Sequence, residues 1–162
     1  MSDLNNVGEC EIKEEIINII IDEKNTYQIN KDKLSNNSSL IQTIIEENPL
    51  EENITLPIIK EYNLIKEFSY FLKFLELKNY VEIPTPLPEK GAHFTEQNIG
   101  NKENVDFINN FYDKTKINEK KIPIELQNTI WLANYLGATK FLGWCCAKFA
   151  SVLVELGIHK ID

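Results

Sequence analysis

The stretch Ile130-Trp131-Leu132-Ala133-Asn134-Tyr135-Leu136-Gly137-Ala138-Thr139-Lys140-Phe141-Leu142 decides how this chain is read. Ahead of it stands Pro123, where a fixed φ suits a helix start. Leu126, Ile130, Ala133 and Leu136 then recur at three- and four-residue steps, which predicts a helix running to about Leu136. Gly137 suits the left-handed cap that would stop it. Thr139 is expected to cap a last helix carrying Phe141, Leu142, Cys145, Cys146, Phe149, Val152, Leu153 and Leu156. That last helix is apolar on more than one side. Helical residues turn by about 100° per step, so Trp144, Phe149 and Val152 cannot all point where Leu142, Cys146 and Leu153 point. Part of this helix is therefore expected to contact something outside its own domain.

Toward the N-terminus the pattern changes period. Ile16–Asp22 is β-branched and apolar, as in a buried strand. Glu23-Lys24-Asn25 has turn composition, and Thr26–Asn30 alternates with Tyr27 and Ile29 on one face, so a β-hairpin is predicted. Lys31–Leu34 suits a single helical turn. Ser38 or Ser39 is placed to cap a helix through Leu40, Ile41, Ile44 and Ile45 that Pro49 ends. Asn53–Pro57 reads as a third strand with Pro at its exit. From Lys60 to Lys78, Leu64, Ile65, Phe68, Phe71, Leu72 and Leu75 predict a core-packed helix. Val105–Tyr112 reads as a short helix or an extended segment, and Lys114–Lys121 as a charged connector.

The order β–β–α–β–α–loop–α–α, strands early and helices late, points to an α+β fold. Residues 1–14 are expected to be a flexible N-terminus, 15–156 a single domain, and 157–162 a tail. Ile83-Pro84-Thr85-Pro86-Leu87-Pro88 with Gly91 and Gly100 marks about 82–104 as a flexible insertion.

Composition narrows the function. The chain has 162 residues, a net charge of −8, and 17 basic residues that are all Lys. Nucleic-acid binding is disfavoured, because neutralising phosphates takes clustered positive charge. Cys10, Cys145 and Cys146 form neither a disulfide framework nor a Cys-x-x-Cys pair. His93 and His159 lie far apart, so no metal site and no cofactor is expected. The N-terminus lacks the basic-then-apolar pattern of a signal peptide, and Asn18 and Lys148 interrupt the longest apolar runs. No membrane association is expected, and the localisation expected is cytoplasmic, nuclear or both. No glycine-rich phosphate loop is present. The paired acids Glu14-Glu15, Glu46-Glu47 and Glu51-Glu52 read as solvated charge at turns and helix ends.

Ile130–Leu142 resembles the Ala-Asn-Tyr-Leu segment of the Skp1 family, adaptors of cullin–RING ubiquitin ligases. Cys145–Leu153 is similar to the helix that follows there, Ile16–Asn30 to the N-terminal hairpin, and Leu34–Glu47 to the next helix. Asn53–Pro57 is similar to the third strand, which also ends in Leu-Pro. Residues 82–104 fall where that family carries a variable, Pro-rich loop. The resemblance is collinear over most of residues 12–155. It implies the BTB/POZ fold and an adaptor rather than an enzyme. The adaptor would link the N-terminal domain of a cullin to an F-box or other substrate receptor. It places Asn134 and Tyr135 on the cullin-facing surface. Trp144, Phe149, Val152 and Leu156 are the corresponding candidates for gripping the receptor. After Leu153 the sequence runs only Val-Glu-Leu-Gly-Ile-His-Lys-Ile-Asp, where the family carries more helices. The alternative is a stand-alone BTB/POZ module, dimerising or elongin C-like, that does not bind F-box proteins. A small hydrolase would instead gather His93 or His159 beside a nucleophile.

Overall fold

The computed structural model of the chain describes residues 14–78, 80–81, 101–110 and 122–157. It is α+β, with one mixed sheet and, among the described residues, seven helices. Strand β1 (Ile16–Ile20) pairs antiparallel with β2 (Thr26–Asn30), Ile17 opposite Ile29 and Ile19 opposite Tyr27. The Asp22 carboxylate closes the turn, accepting from the Lys24 and Asn25 N–H groups at 2.8 Å each. The Asn25 side-chain amide, then the Lys24 N–H, hold that carboxyl below its ordinary range. Strand β3 (Asn53–Thr55) runs parallel along the other side of β1, giving the order β2-β1-β3. Asn18, polar in an Ile-rich strand, meets Asn53 across that pairing, its amide donating to Asn53 Oδ1 at 2.9 Å. Ile17, Ile19 and Ile21 point into the core, as the period of two requires.

The hairpin leads straight into α1 (Lys31–Asn37), longer than the single turn expected, because the Asn30 side chain caps it by accepting from the Lys33 N–H. Helix α2 (Ser39–Glu47) is capped by Ser38, one of the two serines expected to do so. Pro57 does not close the third strand. It opens a short helix α3 (Pro57–Glu61), where its missing N–H is harmless. The single helix expected over Lys60–Lys78 is corrected too: Asn63, at φ 55°, breaks it, and α4 (Ile65–Leu75) begins beyond the break. Asn tolerates the left-handed region better than most residues. Helix α5 (Lys102–Asn109) takes up the last residues of the expected insertion and settles the reading of the segment from Val105. It buries Ile108 and Asn104. Cys10, His93 and His159 lie outside the described residues. So do 1–13 of the expected N-terminus, 82–100 of the insertion, the connector 114–121, and 158–162 of the tail.

Helices α6 (Ile124–Leu136) and α7 (Thr139–Glu155) are joined at Gly137 and pack against each other, and α6 also packs on α4 and α2. Ala138, not Thr139, occupies the cap position of α7, and no side chain caps it. The core is aromatic between α4 and α7. Phe74 lies 5.2 Å from Phe141 and 5.7 Å from Trp144 between ring centroids, and Phe71 lies 5.6 Å from Phe141. Each such buried ring contributes on the order of 2 kcal/mol of transfer free energy.

One junction ties the two halves of the chain. The buried Ser38 hydroxyl donates to the Leu136 carbonyl at 2.6 Å and accepts from the Ile41 N–H at 3.2 Å. The Ser39 N–H donates to the Gly137 carbonyl at 3.3 Å. Gly137 adopts φ +62°, and a Cβ there would collide with the Ser39 hydroxyl. Ser38→Ala is expected to lower unfolding free energy by about 1–3 kcal/mol in a urea titration, since it removes a helix cap and strands a buried carbonyl. A loss under about 0.3 kcal/mol would mean that water replaces both bonds.

Candidate protein-interaction surface

Helix α6 has two apolar faces. At about 100° per residue, Leu126, Thr129, Leu132, Ala133 and Leu136 gather on one side, and all are buried. Ile124, Trp131 and Tyr135 fall within about 40° of one line on the opposite side. They are exposed: Ile124 73%, Trp131 46% and Tyr135 37%. Gln127 and Asn134 lie together to one side of that line, about 60–80° round the helix, and are also exposed.

The stripe continues onto a second element. Tyr62, 59% exposed, sits beside the left-handed Asn63 in the turn between α3 and α4. Its ring lies 5.7 Å from that of Trp131, and Trp131 stacks on Tyr135 at 5.6 Å with planes 2° apart. Three aromatic rings thus form a ladder at the surface. Each carries a polar tip and an apolar body, and rings with few rotatable bonds lose little entropy on docking.

Beneath the ladder the helix is fixed. The buried Glu125 carboxylate accepts the Tyr70 hydroxyl and lies 3.1 Å from the Lys66 ammonium, both from α4. Ser38 holds the far end of α6, as described above. The surface is therefore presented by a helix pinned near both ends, which lowers the ordering cost of binding.

The residues expected from sequence divide. Asn134 and Tyr135 are exposed and lie on the ladder side of α6. Trp144 and Val152, expected among the residues that grip a receptor, lie in the core: Trp144 is 2% exposed and Val152 fully buried. Trp144 packs among Phe74, Tyr80 and Phe107, and its indole N–H donates to the Val81 carbonyl at 3.0 Å. Phe149 and Leu156 are half-buried against the same core. Sequence reasoning passed over Trp131, Tyr62 and Ile124. The angular spacing of Ile124, Trp131 and Tyr135 carried a readable signal, whereas Tyr62 joins them only through the unforeseen turn at Asn63.

Among the described residues no group of three or more His, Cys, Asp or Glu side chains could hold a metal ion. No described helix is long and apolar enough to cross a membrane. Partial desolvation pushes the exposed Cys146 thiol up, and burial pushes Cys145 well above its ordinary value with Cys146 adding to it. The chain matches no protein-family model, no curated protein and no solved structure.

The raised thiols give a signed prediction. A raised pKa leaves less thiolate at neutral pH, so Cys146 reacts with iodoacetamide more slowly at pH 7 than an unstructured cysteine peptide does. Its rate climbs as pH rises toward the folded-state pKa, while buried Cys145 stays unmodified in the folded protein. Mass-spectrometric mapping of the adducts checks this, and equal labelling of the two sites would contradict the burial described.

Proposed function

We propose that this chain is a non-catalytic adaptor of the Skp1-like BTB/POZ type, linking a cullin scaffold to a substrate receptor in a ubiquitin ligase. One observation carries the reading: the exposed ladder Tyr62–Trp131–Tyr135, with Asn134 beside it, on a helix that the core already holds. Exposed apolar stripes on a packed helix mark partner surfaces, since a solvated role would not select them. The Asn-Tyr pair that the family resemblance assigns to the cullin lies on this side of α6. The element order β–β–α–α–β, with β3 parallel to β1, is compatible with that fold.

On this reading no bond is made or broken by the chain. It holds a receptor at a fixed distance from the catalytic arm and raises effective concentration. Trp144 and Val152 serve the core, which leaves Phe149 and Leu156 from the original set with surface to offer. That burial favours, as a second reading, a BTB/POZ module that does not take F-box receptors.

Co-purification separates the two. The purified chain is mixed with a cullin N-terminal domain and, separately, with an F-box peptide. Adaptor function predicts cullin binding that Trp131→Ala and Tyr135→Ala each weaken by about 2 kcal/mol, roughly 30-fold. Both variants are expected to keep the parent thermal stability, because the rings are exposed. Cullin binding unaffected by either change would sink the assigned surface. Absence of both partners together with a dimer by light scattering would favour the stand-alone module.

A further inference from the structure

Strand β2 is an edge of the sheet, and its free side borders a groove of about 520 Å³. The hydrogen-bond parity of the hairpin can be read from its ends. The Lys31 N–H donates to the Glu15 carbonyl and the Ile21 N–H to the Asn25 carbonyl, both at 2.9 Å. In an antiparallel ladder these hydrogen-bonded pairs recur at every second residue. Tyr27 and Ile29 therefore turn their main chain toward β1. Thr26 and Gln28 turn their N–H and C=O groups outward, and Asn30 its N–H. The same parity explains why Asn18 and Ile20 of β1 reach the other way, to the Glu52 carbonyl and the Leu56 N–H. The outward groups of β2 take no hydrogen bond from any described residue.

An open edge of this kind is a template for another strand, and folded proteins usually blunt it. Here the strand itself carries no Pro and no Lys. The groove alongside is floored by Leu72 and Leu75 of α4 next to Tyr27 and Ile29. Its charged lining is Glu14 and Glu76 against a single Lys33, so its net sign is negative.

We propose that the β2 edge is a second docking site, which takes an extended segment of a partner protein as a fourth strand. Alternate side chains of that segment are apolar and fill the space over Leu72 and Leu75, and a flanking Lys or Arg meets Glu14 or Glu76. Main-chain bonds to Thr26, Gln28 and Asn30 supply the affinity, and the groove supplies the selectivity. The site lies on elements separate from the α6 ladder and does not depend on the adaptor reading.

The probe is the peptide Lys-Val-Thr-Val-Thr-Val-Lys, titrated into the ¹⁵N-labelled 162-residue chain. The expected result is amide shift changes centred on Thr26, Gln28 and Asn30, with slowed hydrogen exchange at those three. Two controls isolate the main-chain bonds. The same peptide N-methylated at alternate positions is expected to bind at least about tenfold more weakly, because each methyl removes a donor. Gln28→Pro removes the outward N–H at an edge position where Pro is tolerated, and is expected to weaken the probe by a similar factor. The peptide control stands even if that variant unfolds. Shifts centred elsewhere, equal binding of the methylated peptide, or no shifts at millimolar probe would overturn the proposal. So would concentration-dependent self-pairing that protects the same three amides, since the occupant would then be a second copy.

Discussion

The Ser38 hydroxyl holds together parts of the chain that have little else in common. It caps α2 through the Ile41 N–H and, from the same oxygen, donates to Leu136 at the end of α6, 98 residues away. Gly137, left-handed and pressed against Ser39, then turns the chain into α7 with no room for a side chain. Any other residue there meets both a strained φ and a collision. The direction in which α6 and α7 leave this point follows from it, and so does which face of α6 is left to solvent.

Two opposed demands on α6 then become intelligible. Its inner face, Leu126, Leu132, Ala133 and Leu136, closes the core against α4, α2 and α7. Its outer face repeats apolar chemistry where water is the neighbour. Glu125 is buried in this helix, and its carboxylate oxygens are partnered by Tyr70 and Lys66, as a buried polar group requires. A pinned helix with a stacked Trp131–Tyr135 pair is a preorganised surface. The β2 edge offers a different kind of contact, main chain rather than ring, so the two proposed sites would choose partners by unrelated rules.

Much of the fold was legible in the sequence because it rests on local chemistry. The period of two in Ile17, Ile19, Tyr27 and Ile29, the Ser38 cap and the Gly137 stop all act within a few residues of themselves. What escaped depends on tertiary context. Asn63 divides a continuous apolar pattern with a left-handed residue that periodicity does not register. Pro57 starts a helix instead of ending a strand. Trp144 and Val152 looked like a spare face of α7 because nothing in the local pattern announces Phe74, Tyr80 and Phe107 arriving to cover the indole. Asn134 and Tyr135 were singled out by a family resemblance. Trp131, one turn earlier and the centre of the ladder, was legible from angle alone.

Site-specific photo-crosslinking at that ladder tests the account most directly. A benzophenone side chain replaces Trp131 in one sample and exposed Asp32 in another, and each is irradiated with a cullin N-terminal domain. A covalent adduct is expected from position 131 and none from position 32, with loss of the adduct when unlabelled parent chain competes. An adduct from position 32 alone, or none from either position, would contradict it.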